Sequence, residues 1–123
     1  MIEVEHVDFV SLLTQDIPRA KQFYAETLGL PIETEGENDM EFTLGQVTLD
    51  VFDPSSIGQE FAPSPAGLAL RVDDVDARRA ELEAKGVHFD GDIVDTGVCQ
   101  FAFFKDPDGN ALMLHRRYAP RER

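Results

Sequence analysis

Few side chains in this 123-residue chain stand where chemistry could be concentrated. His115 lies in the apolar run Ala111 to Arg116, and Arg71 lies near the end of another, Gly67 to Val72. An arginine held on an apolar strand can clamp a carboxylate through paired, charge-assisted hydrogen bonds. Pairing with Asp73 would serve it equally well. A lone strand histidine suits acid/base work or a local hydrogen bond. There is no glycine-rich phosphate loop, no serine or cysteine beside a base, and no carboxylate pair spaced for acid and base roles. Cys99, the single cysteine, excludes an internal disulfide and reads as small core filler. His88 follows a helix and is expected to face solvent.

The elements that must position these groups come in two similar sets. Residues 4–13 read as a strand. Asp16 then caps a helix with Pro18 in its first turn, apolar residues Ile17, Ala20, Phe23, Tyr24 and Leu28 recur at helical spacing, and Gly29 stops it. Strands are expected at 31–35, 40–44 and 47–52, the last two joined at Gly45 and Gln46. The second half repeats this order: a strand over 67–72, a helix capped by Asp73 or Asp74 with a solvated charged face, and strands at 87–91, 98–104 and 111–116. Asp106, Pro107, Asp108, Gly109 and Asn110 form a turn signal in which proline presets one dihedral and glycine supplies a positive one. The chain thus reads as βαβββ twice, module 1 at 1–53 and module 2 at 66–118, with a proline-rich linker at 54–65 and a tail at 119–123. Neither half is large enough to enclose a core alone, and the concave surface of the pair is the place expected to carry function.

Composition bounds the partners. At 42% hydrophobic residues the chain can build one domain's core. Its net charge of −13 is uneven: Arg116, Arg117, Arg121 and Arg123 face only Glu122 in the last eight residues. Residues 1–115 carry 7 basic and 23 acidic side chains, a net charge of −16. Such a surface repels phosphate backbones and anionic lipid, so neither nucleic acid nor membrane is an expected partner. No apolar run approaches the roughly 20 residues of a membrane span, and the N-terminal residues lack the pattern of a signal peptide. A cytoplasmic location is expected.

The helix start Asp16-Ile17-Pro18-Arg19-Ala20, with Phe23, Tyr24 and Leu28-Gly29-Leu30, is followed far downstream by Phe103-Phe104, Asp106-Pro107-Asp108-Gly109-Asn110 and an apolar strand. In this order the chain resembles the vicinal oxygen chelate superfamily, which holds glyoxalase I, extradiol dioxygenases, fosfomycin-inactivating transferases, methylmalonyl-CoA epimerase and bleomycin-resistance proteins. The resemblance implies an α+β fold of two tandem βαβββ modules forming a concave mixed-sheet cleft. It also implies four metal-ligand positions, on the first and last strand of each half. These positions carry Phe9, Leu49, Gly67 and Met113, of which only the thioether can donate, and to soft metals. His6 and Asp50 are expected to point away by strand parity, leaving His115 as the one possible donor on the inward face.

The reading that follows is a metal-free, cofactor-free member binding an aromatic or partly apolar small organic molecule. Its expected lining is Phe9, Ser11, Leu49, Val51, Gly67, Ala69, Arg71, Met113 and His115, with His115 as a weak catalytic candidate. An enzyme (lyase, isomerase or dioxygenase) with displaced ligands such as Asp50 and His115, or an interaction protein with an empty cleft, are the alternatives. Chain length and the resemblance imply a homodimer.

Overall fold

The computed structural model describes residues 1–121, so the parts of the basic tail at Glu122 and Arg123 lie outside the described residues. The chain divides into two compact units, Met1–Pro63 and a second beginning at Ser64. Each is a four-stranded mixed sheet of the same order.

In the first unit, β1 (Phe9–Leu13) runs parallel to β4 (Val47–Phe52), and β3 (Asp39–Leu44) and β2 (Ile32–Glu35) extend the sheet antiparallel. The first strand is shorter than the 4–13 run predicted. Phe9 pairs with Thr48, one residue into β4, so residues before about 8 extend past the start of that strand. Val4 and Val7 are accordingly exposed.

Helix α1 (Ile17–Lys21) starts where Asp16 accepts the Arg19 N–H at 3.0 Å, with Pro18 in the first turn. It then widens into a π-helix over Gln22–Thr27, in which Leu28 N–H reaches Phe23 carbonyl. A wider turn re-aims successive side chains. Phe23 and Tyr24 both become buried, packed edge to face, and Tyr24 lies against Phe42 of the sheet. The predicted linker is not wholly irregular, since Pro54–Ile57 forms a 3-10 turn capped by Asp53.

In the second unit, β5 (Leu68–Arg71) runs parallel to β8 (Ala111–Arg117), followed by β7 (Cys99–Lys105) and β6 (Phe89–Asp95). Strand β6 outruns its predicted end at 91. Gly91 takes a positive φ of 72° inside a bulge between Asp90 and Val94, after which pairing resumes. Helix α2 (Val75–Ala84) is capped by Asp74, buries Val75 and Leu82, and sets Arg79 5.0 Å above the Phe89 ring.

The turn before β8 is held by buried polar bonds. Asp106 Oδ1 accepts the N–H groups of Asp108 and Asn110, and Asn110 Nδ2 donates to Asp106 Oδ2 at 2.8 Å. Asn110 Oδ1 in turn accepts the Ser64 N–H, fastening the start of the unit to its last strand.

Candidate functional site

Strand parity gives each sheet one face against its helix and one free of it. In the first unit, Val10 and Leu12 pair with Leu49 and Val51, which pair in turn with Phe42 and Met40. Leu49 and Val51 are both 0% exposed, and Met40 and Phe42 are buried with them. This corrects the expected lining: Leu49 and Val51 belong to the core, on the face opposite Phe9 and Ser11. Ser11 pairs with Asp50, so Asp50 shares the face of Phe9 that sequence parity assigned to Leu49. The parallel registers of the two sheets set Asp50, not Leu49, level with Met113.

The helix-free face of the first sheet is acidic. Asp50 pairs with Glu41, Asp39 lies two residues along the same strand, and Thr34 Oγ1 donates to Glu41 Oε1 at 2.8 Å. Asp50 Oδ1 is buried and lacks a hydrogen-bond partner among the described residues. Burial first, and then the neighbouring carboxyls of Asp39 and Glu41, push the Asp50 pKa up to about 6. Phe9, 55% exposed, sits at the edge of this face.

The second sheet brings together the other expected residues. Its core face carries Leu68, Leu70, Leu112 and Leu114 with Ala102 and Phe104. Its helix-free face carries two rows running across the four strands. One row is Arg71, His115, Phe101 and Val94; the other is Ala69, Met113, Phe103 and Asp90. Phe101 and Phe103 lie parallel with centroids 5.9 Å apart, and His115 packs 4.7 Å from Phe101. Gly67, with φ of 83°, adjoins Met113, whose terminal methyl would stand 2.8 Å from a Cβ placed there. Phe101 and Phe103 are absent from the expected lining; they alternate along β7, and the pairing of that strand with β8 sets them opposite His115 and Met113.

Arg71 does not pair with Asp73, which lies 3.4 Å from Arg78 Nε instead. Among the described residues Arg71 makes one hydrogen bond, 3.3 Å to the Arg117 carbonyl. The remaining histidines stand elsewhere: His6 lies before β1 beside Asp8, and His88 lies 3.8 Å from Asp90, both exposed. Cys99 is buried, with Sγ 4.0 Å from Arg117.

With Asp50 replacing Leu49, the four positions implied for a family metal hold Phe9, Asp50, Gly67 and Met113. One carboxylate and one thioether fall short of the three or four nitrogen and oxygen donors that a catalytic divalent cation takes. The Gly67 position is moreover filled by the Met113 methyl. This donor set does not fit the metal. Among the described residues no group of three or more His, Cys, Asp or Glu is arranged to hold one.

Comparison with known proteins agrees with this architecture. The chain is similar to the uncharacterized protein YaeR of Escherichia coli strain K12, 29% identical over 95% of this chain and all of that one. It is likewise similar to the uncharacterized protein YraH of Bacillus subtilis strain 168, 30% identical over 87% of this chain and 94% of that one. Among solved structures, TnmS3, an antibiotic binding protein from Streptomyces sp. CB03234, is 31% identical with a TM-score of 0.77, covering 95% of this chain and 99% of that one. A lactoylglutathione lyase from Agrobacterium tumefaciens shares the fold at 20% identity, with a TM-score of 0.78 over 92% of this chain and 94% of that one. A sequence model of the Glyoxalase/Bleomycin resistance protein/Dioxygenase superfamily matches residues 5–114. The two βαβββ units are those of the glyoxalase/bleomycin-resistance fold, and the chain belongs to this superfamily.

Proposed function

We propose that the protein binds a small, partly aromatic organic molecule on the helix-free face of its second sheet, without a metal ion. The observation that carries this reading is the parallel Phe101–Phe103 pair flanked by His115 and Met113 on one sheet face. Aromatic rings and a thioether offer a planar ligand large contact area and an adaptable wall. Likeness to an antibiotic binding protein supports small-molecule binding, and the poor donor set at the family's metal positions supports a metal-free mode. The proposed lining keeps Gly67, Ala69, Arg71, Met113 and His115 and adds Phe101 and Phe103. Phe9 and Ser11 stand on the helix-free face of the first sheet.

Native mass spectrometry with elemental analysis of purified protein tests this reading. It should find two copies of the 13.7 kDa chain, no stoichiometric metal, and a carried or readily loaded aromatic compound. Among the described residues no helix is long and apolar enough to cross a membrane; a cytoplasmic location is part of the same proposal. A metal-dependent lyase or dioxygenase is the second reading, favoured by one observation, the unpartnered Oδ1 of Asp50 on the face that carries Phe9. Submicromolar, one-to-one binding of zinc, nickel, manganese or iron(II) to chelator-treated protein, lost in Asp50→Ala, would establish that reading in place of the first.

A further inference from the structure

We infer that the ligand of the second sheet is an aromatic anion, its ring on Phe101 and Phe103 and its carboxylate at Arg71. This rests on the small-molecule reading above and adds the ligand's charge and orientation.

The two rows of residues make the face polar from end to end. Arg71 stands on edge strand β5, the rings and Met113 occupy the middle strands β7 and β8, and Asp90 stands on the far edge strand β6. Adjacent strands lie about 4.8 Å apart, so Phe101, two strands from Arg71, is about 10 Å away at the backbone. An extended arginine side chain spans much of that interval. His115 stands between Arg71 and Phe101 in that row, so the ligand lies across its ring, while Ala69 beside Arg71 on the same strand adds little bulk. Asp90 at the opposite edge disfavours the reverse orientation of an anion.

Arg71 is also available. Its recorded partner is a backbone carbonyl at 3.3 Å, Asp73 is beside Arg78, and the side chain is exposed. Guanidinium presents a planar fork matched to a carboxylate; a neutral acceptor forgoes the charge assistance and a cation is repelled. The chain's net charge of −13 does not forbid an anion here. At physiological ionic strength charges beyond about 8 Å are largely screened, so the contact with Arg71 outweighs the distant carboxylates.

Three probes sharing one ring system separate the possibilities: 2-naphthoate, 2-naphthalenemethanol and 2-naphthylmethylammonium, titrated calorimetrically into the full chain. The naphthoate should bind about tenfold or more tightly than the alcohol, as expected for a charge-assisted bond, and the ammonium more weakly still. Arg71→Met, which keeps the aliphatic stem, should erase the preference for naphthoate while leaving alcohol affinity within about twofold, and its unchanged thermal melt would show it folded. Phe103→Ala should weaken naphthoate and alcohol alike. Equal or tighter binding of the alcohol or ammonium, or a naphthoate preference surviving in Arg71→Met, would overturn the inference while the small-molecule reading stands. Failure of all three probes to bind at millimolar concentration would overturn both.

Discussion

The two units share a topology and differ in what they place on it. Their hydrogen-bond registers align Phe42 with Phe104, Leu49 with Leu112 and Val51 with Leu114, all buried against a helix. On the other face the same registers align Asp39 with Phe101, Glu41 with Phe103, Asp50 with Met113 and Phe52 with His115. Three carboxyls in one unit thus stand where two aromatic rings and a thioether stand in the other. Packing constrains the core face, because each residue there must fill a volume set by its neighbours. The helix-free face carries no such demand, so the two copies diverge there and function is read from the divergence.

The largest expected effect tests which face Leu49 occupies. Leu49→Ala should destabilise the chain by about 2–5 kcal/mol, as for other buried leucines, yet leave naphthoate affinity unchanged at temperatures where the variant is folded. A urea melt shifted by less than about 0.5 kcal/mol would return Leu49 to the exposed face.

Gly67→Ala probes the close approach that distinguishes the start of β5. A Cβ there meets both an unfavourable positive φ and the Met113 methyl, so a loss of about 1–2 kcal/mol is expected. The methyl is the end of a flexible chain, and its NMR resonance should move as it yields. A melt unchanged by the substitution would remove the argument that this position is closed.

Asp50→Asn should act in the opposite direction and more weakly. The folded-state pKa of Asp50 is pushed up to about 6, so the fold favours its acid form. The stability this brings is fully present below about pH 4 and is lost as pH rises through about 6. At pH 7 the Asn variant should therefore be more stable, by on the order of 1 kcal/mol after screening of a partly exposed group, with the gain vanishing near pH 4. Chemical denaturation at both pH values measures this. Lower stability at pH 7 would mean that Asp50 has a favourable partner there.

Much of this was legible in the sequence because it is local. The caps Asp16 and Asp74, the proline in the first helical turn, the turn at Gly45 and that at Asp106 to Asn110 each express a preference of a few neighbouring residues. What was not legible depends on register. Leu49 and Asp50 are adjacent, and a slip of one residue exchanges the core face for the helix-free face, so a register read from sequence alone reverses the two. The helix boundary was blurred for a similar reason, since the π-helical turn at Gln22–Thr27 is selected by the packing of Phe23 and Tyr24 on the sheet. Arg71, Met113 and His115 could be assigned to one sheet face because alternation along each strand is enough for that. Phe101 and Phe103 needed the pairing of β7 with β8 to be joined to them.

The three methionines give the most direct test of where the ligand binds. Met1 is exposed at the terminus, Met40 is buried in the first core, and Met113 stands beside Phe103 on the proposed face. In protein labelled with 13C at the methionine methyls, titration with 2-naphthoate should move the Met113 resonance strongly, through ring currents and contact, and leave those of Met40 and Met1 in place. Saturable binding that moves Met40 or Met1 while Met113 stays fixed would contradict the account.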